Sequence, residues 1–146
     1  MIVINDANVL ISAIINPEGK ISQLLVLSKE IEFILPQYAL IEIERHKSKI
    51  CTAYKIPNSF FDKTLLKLSS YFLVFSEKEI DTVFFETALE ITKNVDENDA
   101  IYLAFTLALD ALLWTGDLKL YRALRRKNFK QIITTKELEE IIKGLQ

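Results

Sequence analysis

Short apolar bursts alternate with longer amphipathic stretches along this chain. Residues 1–5 are rich in Ile and Val and read as a buried strand. Residues 7–15 are apolar over a helical length. The stretch "NPEG" at residues 16–19 marks a turn, and residues 21–28 carry Leu24, Leu25 and Leu27 as a short helix. Residues 32–35 form a second strand, closed by Pro36. A long helix is expected over residues 38–53, with Pro36 suiting its entrance and Ile56-Pro57 breaking it, because a residue before proline avoids the helical region. Asn58 or Ser59 caps a further helix through Leu68, and "YFLVF" at residues 71–75 is a third strand.

Ser76 and Glu79 match a capping box, and the helix they open runs to about Thr92. Residues 94–99 are a polar corner. Residues 100–109 are apolar on nearly every side, which identifies a central buried helix. Strand 111–114, helix 118–127 with a basic outer face, strand 131–134 and helix 135–145 complete the pattern. Short apolar strands alternating with helices indicate a mostly parallel sheet covered on both faces.

Composition adds bounds. The 146 residues suit one domain, expected over residues 1–146, and half of them are hydrophobic. The formal net charge of −2 gives little general electrostatic steering toward nucleic acid, so that work falls to a local basic patch. Cys51 stands alone and reads as a small buried hydrophobe. The first residues read as a strand and not a signal peptide. The longest nearly apolar run, residues 100–113, is interrupted by Asp110 and is too short to cross a bilayer. A cytoplasmic protein is expected.

Two of the strands end on aspartate: "VIND" at Asp6 and "WTGD" at Asp117. Ligands of parallel α/β sheets bind beyond the carboxyl ends of the strands, so these two acids meet if their strands are neighbours. Each has a second reading as a cap on the helix that follows. Asp99 falls in the first turn of the most buried helix, and Asp96 precedes it by three residues as a cap or a further acid. Glu42 lies one turn into the long helix, beside the stripe of Leu40, Ile43 and Ile50. Uncompensated carboxylates resist joint ionisation, and a hard divalent cation resolves the conflict. One His and one Cys argue against zinc and for magnesium or manganese. Such an ion with bound waters suits phosphodiester hydrolysis. His46 alone supplies no Ser-His-Asp arrangement and reads as a surface residue, and the three glycines supply no phosphate-binding loop.

As an ordered set these residues resemble the PIN-domain nucleases, especially the VapC-like ribonuclease toxins of prokaryotic toxin–antitoxin pairs. Asp6 in "NDANVLISA", Glu42 in "YALIEIERH", Asp99 in "DENDAIYLAFTLALDA" and Asp117 in "LLWTGDLKL" resemble the family's four acids, with Asp96 as the frequent acidic neighbour. Asn8 and Thr115 match polar residues that orient the site. The resemblance covers essentially the whole chain. It implies a three-layer α/β/α sandwich around four to five mostly parallel strands, and Mg2+ or Mn2+ held by Asp6, Glu42, Asp96, Asp99 and Asp117. It also implies an RNA substrate, a homodimer and a small antitoxin protein as partners. A PIN-like nuclease of RNA processing or repair shares the same site. A non-catalytic acidic domain that binds nucleic acid or protein is the competing class.

Arg45 and Lys49, four apart on the Glu42 helix, and Lys119, Arg122 and Arg126 after Asp117 are the candidate RNA contacts. Arg125 and Lys130 belong to the same basic group by sequence. Phe60 and Phe61 mark a candidate dimer or antitoxin surface.

Overall fold

A computed structural model describes residues 1–145; residue 146, the last of the expected domain span, lies outside them. Among the described residues, five strands form one sheet in the order β3-β2-β1-β4-β5. They are β1 (Ile2–Asn5), β2 (Glu32–Pro36), β3 (Phe72–Phe75), β4 (Leu112–Trp114) and β5 (Ile132–Ile133), and every pairing is parallel. The helices are α1 (Ala7–Ile15), α2 (Lys20–Leu27), α3 (Gln37–Tyr54), α4 (Asn58–Ser69), α5 (Thr82–Thr92), α6 (Ala100–Ala108), α7 (Leu118–Arg126) and α8 (Thr135–Leu145).

The strand order explains where a ligand can sit. From β1 the chain steps outward through β2 to β3, then returns across the sheet to β4 and continues to β5. Right-handed crossovers put α1 to α4 on one face and α5 to α7 on the other. The contacts agree: α1 meets α3 and α4, whereas α6 meets α5 and packs on β1, β2 and β4. The result is a three-layer α/β/α sandwich. Its winding reverses between β1 and β4, and the crevice at that reversal opens at the carboxyl ends of both strands.

Burial follows the hydrophobic pattern. Val3, Ile4, Leu113 and Trp114 of strands β1 and β4 are fully buried, and the Phe33 ring packs at a tilt against both Phe72 and Trp114 with centroids 6.1 and 5.9 Å apart. In α6, Tyr102, Leu103, Ala104, Phe105 and Thr106 are all buried, as expected for the central helix. Cys51 is buried and His46 exposed. No single helix among the described residues is long and apolar enough to cross a membrane.

Three local expectations change. The capping box at Ser76 forms, but it closes only a single 3-10 turn, Glu77–Glu79. Ile80 then turns extended and drops into the core, and Glu77 is drawn aside to accept the Tyr38 backbone N–H at 2.7 Å. Asp81 therefore starts α5 afresh, its side chain accepting the Val83 N–H. At α4 the cap position is Pro57 and not Asn58 or Ser59, because the helix already begins at Asn58. Phe61 is fully buried, so of the two adjacent phenylalanines only Phe60 reaches the surface.

Candidate metal-binding cleft at the carboxyl edge of the sheet

Five acids from distant parts of the chain arrive at one edge because of element direction. β1 and β4 are adjacent, pairing Asn5 with Trp114, so Asp6 and Asp117 follow neighbouring strand ends. α3 leaves β2 directly at Pro36, which puts Glu42 within two turns of the same edge. α6 descends into β4 through residues 109–111, so its N-terminus, with Asp99 and Asp96, stands at the carboxyl edge too.

Asp6 is 3% exposed. Its Oδ1 accepts the Val9 N–H at 3.1 Å, capping α1, and its Oδ2 accepts the Thr115 hydroxyl at 3.2 Å. Burial pushes its carboxyl up to about 6, against the lowering effect of those hydrogen bonds, and the Glu42 charge adds to the rise. Thr115 is the joint between the two strand ends. While donating to Asp6, its hydroxyl accepts the Asp117 N–H at 3.0 Å. Asp117 in turn caps α7, with Oδ1 accepting the Lys119 and Leu120 N–H groups at 3.0 and 3.1 Å. Asp96 caps the 3-10 turn Glu97–Asp99 through the Asn98 N–H.

Asp99 differs. It occupies the cap position of α6 but its side chain makes no cap hydrogen bond. Its carboxyl is pushed up to about 7, first by burial and then by the charges of Asp96, Asp6, Asp117 and Glu42. Each of the other four acids is thus within electrostatic reach of Asp99.

Glu42 is half-buried, and the Tyr102 hydroxyl donates to its Oε1. Burial, and then that hydrogen bond, keep the phenol protonated far above its ordinary range. Tyr102 was not a sequence candidate, although a hydroxyl three residues after Asp99 in an otherwise apolar helix was a usable signal. Next to Asp6, the side chain of Asn5 is fully buried, with neither amide atom bonded among the described residues. Asn8 is exposed in the first turn of α1, and its backbone N–H adds to the stabilisation of the Asp6 carboxylate.

As the side chains stand, no three Asp, Glu, His or Cys side chains among the described residues are gathered tightly enough to hold one ion. Mutual repulsion and the caps account for the spread, since Asp6 and Asp117 each turn an oxygen to a helix N-terminus. The donors suit a hard cation nonetheless. They are carboxylate oxygens, and Asp99 is an uncapped half-buried acid whose ionisation four neighbours oppose. Magnesium or manganese would relieve that opposition, while zinc favours nitrogen and sulfur donors.

The cations divide. Lys119, Arg122 and Arg126 line a cleft of about 520 Å³ together with Asp96 and Asp117. Arg45 lies over the Tyr38 ring at 6.0 Å and lines a separate depression with Leu40 and Glu44. Lys49 is exposed farther along α3 and lines neither. Arg125 is taken up by the Ile132 carbonyl at 3.1 Å and the Glu137 carboxylate at 3.4 Å, so its role is structural. Lys127 crosses from the end of α7 to the end of α5, donating to the Ile91 and Lys93 carbonyls at 2.7 and 2.5 Å.

Comparison with known proteins adds two findings. A family profile described as the PIN domain matches residues 3–139. In three dimensions, a chain of the VapBC2 structure from Rickettsia felis, bound to a DNA fragment from their promoter, aligns with a TM-score of 0.68 and 18% sequence identity. The alignment covers 92% of this chain and 97% of that one. At that identity the likeness is one of fold. No protein of curated function matches the sequence.

Proposed function

The chain belongs to the PIN-domain family, and from that premise we propose that it is a magnesium- or manganese-dependent endoribonuclease, the toxin of a toxin–antitoxin pair. Asp99 carries the reading. Asp6, Asp96 and Asp117 all cap helices, and taken alone they suit a domain that merely keeps its acids for structure. Asp99 caps nothing, and its carboxyl is pushed up to about 7, first by burial and then by the charges of four other acids. A structural role leaves that cost without compensation, whereas a bound cation supplies it.

In this reading Asp6, Glu42, Asp99 and Asp117 would hold the ion, with Asp96 joining directly or through water. When bound, magnesium or manganese supplies a Lewis acid that activates water and neutralises phosphate charge. Thr115 fixes the Asp6 oxygen and the Asp117 backbone in relation to each other, and Asn8 steadies the same turn. Lys119, Arg122 and Arg126 recur at helical spacing along α7 and present a row of cations to the RNA phosphates beside Asp117. Arg45 and Lys49 lie along α3, outside that cleft, and serve a more distant part of the RNA.

Residues 1–146 act as one nuclease domain in the cytoplasm, as a homodimer silenced by a small antitoxin. The VapBC2 likeness supports the pairing at the level of fold. The test is cleavage of single-stranded RNA by the purified protein with manganese. Wild-type should cut, and Asp99→Asn, folded by circular dichroism, should not. Equal cutting by both, or none by either at neutral pH with millimolar manganese, removes the reading.

A further inference from the structure

Tyr102 ties together two of the acid-bearing elements, α6 and α3. It sits on α6 three residues after Asp99, so the two side chains share one face of the helix. Its ring is 2% exposed and held among the core residues. Its hydroxyl donates to Glu42 on α3, across 60 residues of sequence.

Glu42 needs such a contact. It is a half-exposed glutamate with three rotatable bonds, facing Asp6 and Asp99 of its own charge. Free, it would swing toward water and away from the other acids. A tyrosine fixed by packing has little rotamer freedom to lose, which makes it a suitable anchor. The Glu42 oxygen bonded to Tyr102 is fixed in place, and the other stays available to the cleft.

We infer that Tyr102 is a positioning residue that aims the Glu42 carboxylate into the acidic cleft and sets its contribution to cation binding. The inference rests on the proposed metal site but adds to it a residue outside the acidic set. Partners that orient metal ligands are worth about 10- to 100-fold in affinity.

The test is a double-mutant cycle read by calorimetric manganese binding, with no RNA present. Tyr102→Phe should weaken manganese binding about tenfold in the wild-type background. Made on top of Glu42→Gln, it should change binding less than about twofold, because the group it acts through is gone. Equal losses in both backgrounds would overturn the inference, as would no loss in either. The thermal midpoint is followed in parallel. Should Tyr102→Phe unfold, ring-carbon NMR of wild-type protein with labelled tyrosine replaces it. The Tyr102 ζ-carbon should shift during magnesium titration with the midpoint of Asp99-dependent binding, and a stationary resonance would overturn the inference. Failure of wild-type to bind manganese at all would instead sink the metal site itself, so the two failures are distinguishable.

Discussion

Replacing Asp99 by asparagine should stabilise the metal-free protein at the same time as it removes activity. The carboxyl of Asp99 titrates at about 7 instead of 3.8, because burial and then Asp96, Asp6, Asp117 and Glu42 oppose its charge. An acid whose folded pKa is raised binds more protons folded than unfolded. Its contribution is full below about pH 4 and is lost as pH climbs to about 7. At 1.36 kcal/mol per unit, the whole shift corresponds to roughly 4 kcal/mol. Part of the carboxyl meets water, and several acids share the coupling, so about 2 kcal/mol is the expected net gain at about pH 8. For a chain of this size that is a rise of about 4–8 °C in Tm. The assay is urea unfolding in EDTA across the pH range. The advantage of Asp99→Asn should grow between about pH 4 and 7 and vanish at the acid end, where protonated Asp99 is as neutral as asparagine. With manganese at about pH 8 the wild-type should regain the difference, since an ion that binds the folded state stabilises it. A variant that is less stable than wild-type in EDTA at that pH, or a difference independent of pH, would show that Asp99 carries no such electrostatic cost.

Further outcomes can be checked directly. Arg122→Ala and Arg126→Ala should each weaken RNA binding, leave Tm within about 1 °C, and reduce the slope of log affinity against log salt by about 0.7. Thr115→Val, which strips Asp6 and Asp117 of their shared hydroxyl, should cost about 1–3 kcal/mol in urea unfolding and weaken manganese binding. Lys127→Met, which removes the donor to the Ile91 and Lys93 carbonyls, should speed hydrogen exchange of the Val95 amide while α6 amides stay protected. Phe105→Ala, in the fully buried face of α6, should cost about 3–5 kcal/mol.

Much of this fold was legible because its elements are locally consistent. The Ile- and Val-rich start, the apolar 100–109 stretch and the proline at 57 each admit one reading, and α1 and α8 fall at their expected bounds. Four strands are shorter than expected by a residue or so, most of all β5, which pairs over only Ile132 and Ile133, whereas β2 runs one residue further, to Pro36. The break at Ile80 was hidden because a capping box specifies how a helix starts and not how far it runs. At the edge, Asp6 and Asp117 could be placed together because each lies within three residues of a strand's carboxyl end. The contacts that join the acids could not be read in the same way. Thr115 reaches Asp6 across 109 residues and Tyr102 reaches Glu42 across 60, and no local pattern encodes either pairing. The sorting of the cations was equally non-local: Arg122 and Arg126 enter the cleft, while Arg125 between them turns to Glu137 and Ile132.

Everything proposed for the β1/β4 crevice depends on its acids taking a hard cation. Anomalous diffraction from crystals grown with manganese at neutral pH tests it most directly. A manganese peak is expected between Asp6, Asp99 and Asp117, absent from crystals of Asp99→Asn. A wild-type map with no peak there, or the same peak in the Asp99→Asn crystals, would contradict it.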